Sequence, residues 1–271
     1  MRRFRTLRAL PTLMRVGFAE AIAYRAEMLV WVLSTTMPLI MLMVWTAVAE
    51  ASPVQGVSVS WSSPRLVAYF LSVFVVRQMT SSWAAWEINW EVRQGVLSMR
   101  LLRPLHPLVS YMTSNIAYFP QRFVVTAPVV VVIALTKASD FITHDVALWG
   151  VLALSLVGAW LITFFANAAI GTLSLYFESS LRLMEIYLVL FFVMSGYLFP
   201  LDLFPGWLRV LTQWLPFRYQ IGLPVEIITG ALTLPQALEL LARQWAWAVV
   251  MVGGAFLLWN RGVKRYQAYG G

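Results

Sequence analysis

Six stretches of this chain are each apolar over a length that crosses a bilayer: Met28–Val48, Leu66–Ala85, Tyr111–Leu135, Val146–Ile170, Leu183–Phe199 and Pro235–Trp259. A helix of ~20 apolar residues matches the ~30 Å hydrocarbon core. In lipid, such a helix satisfies its backbone hydrogen bonds within the segment. This feature predicts an all-α polytopic membrane protein with six transmembrane helices. Composition agrees, because charged residues make up only 12% of the chain, against ~25% in soluble domains. The formal charge of +8 does not point to nucleic acid, since the basic residues cluster near both ends and in one loop.

The basic residues instead set an orientation. With both termini in the cytoplasm, inner segments hold thirteen Lys and Arg and outer segments five; the other two, Arg77 and Arg122, fall within spans. The excess predicts cytoplasmic termini, and an even number of spans requires the termini to share a side. Within residues 1–27, Phe4, Leu7, Leu10, Met14, Phe18 and Ile22 recur at steps of three or four, with Arg5, Arg8 and Arg15 to one side. That pattern predicts a helix lying on the inner surface, its regular part beginning near Pro11. A plain topology signal would carry the same charges. No linker, low-complexity tract or repeat divides the chain, so 1–271 reads as one domain. There is no Cys, which excludes disulfides and thiolate metal sites, and no metal site is expected. No cleavable signal peptide is expected either.

Between the second and third spans, the segment 87–107 contains Glu87, Glu91, Arg93, Arg100 and Arg103, which place it in water or at the headgroups. Yet Ile88, Val92, Val96 and Leu97 repeat at helical spacing, until Gly95 and the pair Pro104 and Pro107 break and end the helix. The apolar face of such a helix needs burial by the rest of the protein, the membrane surface or a partner. A simple connector would show the same periodicity. The outer region 200–234 is too long for a turn. Trp207, Leu208, Leu211, Trp214 and Leu215 line one face of a short helix ended by Pro216, and a second runs from Pro224 to Gly230. Each is about ten residues, or ~15 Å. Helices this short re-enter the membrane or lie at its interface. Thr233 and Pro235 then open the last span with a cap and a first-turn proline.

Arg77 lies near the middle of the second span and is followed by Gln78, Thr80, Ser81 and Ser82. A charge at helix centre costs ~2.5–3.5 kcal/mol on insertion scales. It therefore faces either a cavity that meets a polar or anionic substrate or a structural partner such as Glu185. Arg122 is expected nearer the inner headgroups, and Pro38, Pro120 and Pro128 within spans are candidate kinks. There is no Gly-x-x-x-x-Gly-Lys-[Ser/Thr] loop, no His-Glu-x-x-His, no Gly-x-Ser-x-Gly and no intramembrane pair of acids.

Two runs carry a resemblance. Glu91-Val92-Arg93-Gln94-Gly95-Val96-Leu97 followed by Leu101-Leu102-Arg103-Pro104-Leu105 is similar to the loop of ABC-2 type permeases, the membrane subunits of type V ATP-binding cassette exporters. Ser195-Gly196-Tyr197-Leu198-Phe199-Pro200-Leu201, then Phe204-Pro205-Gly206-Trp207-Leu208, then Leu215-Pro216, resembles the family's pattern after the fifth span. In length and span count the chain resembles the bacterial six-span stand-alone permeases of that family. The resemblance implies that the loop is a coupling helix docking on a nucleotide-binding subunit, with Glu87, Glu91, Arg93, Gly95, Leu97, Leu101, Arg103 and Pro104 at the contact. Here Gly95-Val96 replaces the family's more usual Gly-Thr. It also implies a re-entrant outer lid, with Phe199, Pro200, Pro205, Trp207, Trp214 and Pro216 at the gate. Arg77, Gln78 and Ser81 then become candidates for the substrate path.

The chain itself would hold no cofactor and catalyse nothing. ATP and Mg would be bound by a separate ATPase present in two copies, and a second permease subunit, identical or homologous, would complete the path through the inner membrane lipid. The implied function is outward movement of a hydrophobic, amphipathic or lipid-linked substrate. An ATPase-associated scaffold or sensor that moves nothing is the alternative. A carrier driven by an ion gradient ranks below both, for want of intramembrane acids.

Overall fold

The computed structural model describes residues 36–177 and 180–266. The expected surface helix over 1–27 and the start of the Met28–Val48 span lie outside the described residues. Helix α1 (Met37–Ala51) opens with Pro38 in its first turn, where the missing N–H has no intrahelical partner to lose. A two-stranded antiparallel ribbon follows, β1 (Val54–Gln55) pairing with β2 (Ser60–Trp61). It leads into α2 (Ser63–Thr80), which is buried on nearly every side; Leu66, Ala68, Phe70, Val73 and Val76 are all at 0% exposure. A helix apolar all round belongs in an interior.

The second span, expected to continue to Ala85, stops at Thr80. Three hydroxyls there compete for backbone groups. Thr80 Oγ1 donates to the Val76 carbonyl (2.9 Å), Ser81 Oγ donates to the Gln78 carbonyl (3.3 Å), and Ser82 Oγ accepts from the Ala84 N–H (3.3 Å). Such local bonds offer the chain an alternative to the helical ladder, and Ser81 is extended at φ −63°, ψ 147°. The chain restarts as α3 (Ala84–Arg93), α4 (Leu97–Leu101), α5 (Pro107–Ala117) and α6 (Phe119–Leu135). The expected Tyr111–Leu135 span is thus two helices meeting at Tyr118, with Pro120 in the first turn of α6 and Pro128 inside it.

Helix α7 (Val146–Thr172) matches its sequence pattern closely, and the Asp145 side chain caps it by accepting from the Ala147 N–H at 2.8 Å. Helix α8 (Ser180–Met194) ends earlier than the expected Leu183–Phe199, because the chain turns through Gly196 at φ +87°. Short helices α9 (Gly206–Trp214) and α10 (Gly222–Ile228) precede α11 (Leu234–Gly262). As expected, Pro235 lies in the first turn of α11, and Gln236 Oε1 accepts from both the N–H and the hydroxyl of Thr233.

Among the described residues, three apolar helical runs are long enough to cross a membrane: Pro107–Leu135, Val146–Leu175 and Leu234–Arg265, of 29, 30 and 32 residues. Helices α1, α2 and α8 have 15, 18 and 15 described residues, or roughly 22–27 Å at the α-helical rise. Val124, Val131 and Leu135 of α6, Val249 of α11 and Val189 of α8 are all exposed. Exposed apolar side chains in such number suit hydrocarbon, not water. The protein is an all-α integral membrane protein.

Helix α7 is the hub, packing against α11, α3, α10, α2 and α8. Two close crossings explain its glycines. A Cβ on Gly171 would meet Ala85 Cα of α3 at 2.9 Å, and one on Gly158 would meet the Gln244 side chain of α11 at 3.0 Å. Gln244 is fully buried and donates to the carbonyls of Ser155 (3.0 Å) and Tyr219 (2.7 Å), tying α11 to α7 and to the chain before α10. Two apolar clusters result, one toward the ribbon and one toward α3 and α4.

Candidate functional site

At one end of the bundle, α3 and α4 form a folded platform. Ile88 and Leu97 are fully buried and Val92 nearly so; they pack with Phe164, Phe165 and Ala168 of α7 and with Ala255 and Trp259 of α11. The apolar face that the sequence left without a partner is therefore covered by the protein itself, except at Val96, which is exposed. Its centre is ionic. Arg100 of α4 donates from Nε to Glu91 Oε2 at 2.8 Å, from Nη2 to Glu91 Oε1, from Nη1 to Ser110 Oγ at 2.8 Å and more distantly to Glu87 at 3.4 Å. The Tyr111 hydroxyl donates to Glu91 at 2.5 Å, and the guanidinium carbon sits 4.0 Å from the Tyr111 ring centre. Burial works against the charge on Arg100, but the Glu91 hydrogen bond, Tyr111 and the Glu91 and Glu87 charges outweigh it and raise its pKa above the ordinary value. A bidentate, charge-assisted pair of this kind fixes geometry as well as energy.

This arrangement redistributes the residues assigned to a partner contact. Glu91 and Leu97 are turned into the chain, Leu101 and Glu87 are half-buried, and Arg93, Arg103 and Pro104 are exposed. Gly95 is left-handed at φ +71°, and nothing lies within 4 Å of where its Cβ would be. A glycine there meets the backbone conformation, with no close packing around it among the described residues. The sequence reading missed the apolar side chains that face outward: Trp90, Met99 and Leu102 are 58%, 65% and 82% exposed, beside Val96 at 41%. Large apolar residues off the buried periodicity of a charged loop are the signal that marks them. His106 caps α5, its Nδ1 accepting from the Leu108 N–H at 3.2 Å, and burial lowers its pKa below the usual histidine value.

A second site lies within the bundle. A cavity of about 200 Å³ opens where the last turn of α2 passes α7 and α8. Arg77 lines it, its guanidinium carbon 4.9 Å from the Phe191 ring centre and 6.0 Å from that of Tyr197. Thr163, Asn167, Tyr187 and Gln220 form a polar wall, and Trp83, Trp86 and Phe192 an aromatic one. Gln220 Oε1 accepts from the hydroxyls of Tyr187 (2.7 Å) and Thr163 (3.1 Å). Of the substrate-path candidates, only Arg77 reaches this cavity; Gln78 and Ser81 are buried beside it, and Ser82 lines it instead. Among the described residues Arg77 forms no ion pair, and Glu185 sits on the exposed side of α8. Arg122 is buried, not at a surface, and donates to the Met79 carbonyl at 3.4 Å. A larger cavity of about 690 Å³ between α2, α6 and α7 has mainly apolar walls, Val75, Phe123 and Leu156 among them.

At the opposite end, the segment after α8 is locked down. The Tyr69 hydroxyl donates to the Gly196 carbonyl at 2.6 Å, and a Cβ on Gly196 would meet that hydroxyl at 2.7 Å. Asp202 ties this segment to the ribbon, accepting from the Ser58 N–H at 2.9 Å and facing Arg209 at 3.8 Å. Phe199 packs edge-on against Phe204 at 5.1 Å; Pro200 and Pro216 are buried. Pro205 is the residue just before α9, whose Trp207 and Trp214 are 71% and 67% exposed. Helix α10 is largely buried, and its Glu226 pairs with Arg218 at 2.7 Å. The pairs Arg218–Glu226 and Gln244–Tyr219 escaped the sequence reading because their partners are set only by the fold.

The fold defines a helical integral membrane protein with a packed, ion-paired platform at one end and a polar pocket inside. Residues 35–270 match the family model described as ABC-2 family transporter protein, and the chain belongs to that family. It is a membrane permease of ABC transport, a family whose members partner an ABC ATPase. No curated protein matches the chain.

Proposed function

We propose that this permease is the membrane subunit of an exporter. It crosses the membrane six times with cytoplasmic termini, pairs with a second permease, and takes force from two copies of a separate ATPase. A hydrophobic, amphipathic or lipid-linked substrate moves outward along a path beginning near Arg77, Gln78 and Ser81 and closed at the outer face by the segment from Phe199 to Pro216. The observation that carries this reading is the surface that α3 and α4 present away from the bundle. Trp90, Val96, Met99 and Leu102 are exposed there, beside Arg93 and Arg103. An apolar centre with charges at its rim is the make-up of a protein interface. The Glu91–Arg100 pair fixes the mount beneath it, which lets a push on the platform reach α7 and α11.

The test is pull-down of the cognate ATPase by the tagged chain, together with transport into vesicles. Replacing Trp90 and Leu102 by Ala should leave insertion and pairing of the permease intact and remove ATPase retention. Arg93→Glu should weaken retention in a salt-dependent way, since exposed charges are screened. Wild-type retention and transport in both variants would overturn the reading.

A further inference from the structure

Among the described residues, the pocket at Arg77 carries a positive charge with no ion-pair partner inside the bundle. Its nearest groups are the rings of Phe191 and Tyr197 and the neutral Tyr197 hydroxyl, a side-chain hydrogen-bond partner. Its Nε has no hydrogen-bond partner among the described residues. A second guanidinium, Arg122, lies close enough to act on it electrostatically, so the local field is positive. Phe191 lies about 16 Å along α8 from Ser180 at 1.5 Å per residue, so Arg77 meets α8 away from its first turn. A charge at such depth faces a counter-ion, protein or water.

The polar wall divides into groups already occupied and groups left over. Gln220, Thr163 and Tyr187 satisfy one another. Asn167 donates from Nδ2 to the Thr163 carbonyl at 2.9 Å, which leaves its Oδ1 as an acceptor without a partner in a side chain 2% exposed. The pocket thus offers one cation and one neutral acceptor. At about 200 Å³ it is smaller than the ~300 Å³ at which ligand pockets usually begin, so it takes a headgroup and not a whole ligand. The edge of α8 that lines it, Met184, Leu188 and Phe192, adjoins a face whose Leu183, Ile186 and Val189 are exposed.

We infer that this pocket binds the headgroup of a singly charged anionic amphiphile that also carries a hydroxyl, the chemistry of an alkyl phosphate. The anion pairs with Arg77, the hydroxyl donates to Asn167 Oδ1, and the alkyl chain leaves along the Met184–Phe192 edge of α8. The inference rests on the permease reading for its meaning in transport, but the binding itself requires no ATPase.

The experiment uses the full chain in nanodiscs of phosphatidylcholine at a pH about one unit below the second phosphate pKa of about 6, where the phosphate probe is the hydroxyl-bearing monoanion, with empty discs subtracted. The probes are radiolabelled dodecyl phosphate and dodecyltrimethylammonium, equal in chain and opposite in charge. Wild type should retain the phosphate saturably and at least tenfold more strongly than the ammonium. Arg77→Gln should remove that preference, Arg77→Lys should keep its sign, and Asn167→Asp should abolish phosphate retention. Thermal unfolding identifies any variant that does not fold. Equal retention of the two probes by wild type overturns the inference without reference to any variant. So does an unchanged preference in a folded Arg77→Gln or Asn167→Asp protein. Competition by inorganic phosphate as strong as by unlabelled dodecyl phosphate would also overturn it, assigning the site to the free ion. Loss of the ATPase pull-down result with this binding intact would remove the exporter reading and leave the site.

Discussion

Replacing Glu91 with Leu would strand Arg100 in the α3–α4 platform. The Glu91 and Arg100 side chains are 7% and 16% exposed, and Glu87, the remaining acid near Arg100, is 3.4 Å away and 39% exposed. Removing one partner of a buried pair costs about 3–5 kcal/mol. Because Ser110 still accepts from Arg100 at 2.8 Å, the lower end applies, about 3 kcal/mol. Glu91→Gln keeps the shape and an acceptor for the Tyr111 hydroxyl but loses the charge, and should cost about 1.5–3 kcal/mol, the worth of a hydrogen bond to a charged group. The double variant Glu91→Leu, Arg100→Met removes both charges. It should be less destabilised than the two single changes added together, by about 2 kcal/mol for groups in one network. The assay is equilibrium unfolding in mixed micelles by titration with a denaturing detergent, read by tryptophan fluorescence. A Glu91→Leu protein within about 1 kcal/mol of wild type, or a double variant equal to the sum of the singles, would refute the claim that this pair fixes the platform.

Gly95 is left-handed with open space around it, so Gly95→Ala should cost about 1–2 kcal/mol and Gly95→Asn less. Gly95→Trp in the isolated chain should be no worse than Ala; the same unfolding titration checks this, and a far larger loss for Trp would show crowding that the fold does not contain. His106 caps α5 through an unprotonated Nδ1, and burial depresses its pKa. The unfolded chain therefore takes up the proton first, and stability should fall as pH drops through the ordinary histidine value of about 6.5. His106→Asn, which caps without titrating, should flatten this part of the pH dependence of the thermal midpoint; an unchanged slope would remove His106 as its source.

Much of the scaffold was legible because its determinants are local. The apolar runs of α7 and α11, the Thr233 and Pro235 start of α11 and the Gly230 stop each depend on residues within a turn of one another, so the sequence carries them directly. The two quoted motifs likewise pointed to the family whose model matches the chain. Tertiary structure decided what depends on neighbours far along the chain. Which faces of the short helices α3 and α4 are buried was set by α7 and α11, and that turned Glu91 and Leu97 inward and Trp90 outward. The hydroxyls of Thr80, Ser81 and Ser82 end the second span while still buried, so their bonds to the backbone are made inside the packed bundle. Arg77 met Phe191, Tyr197 and Asn167, and not Glu185, because α7 and α8 bring those side chains to one cavity. Periodicity reports that a face is apolar; what covers that face is settled by the packing of distant segments.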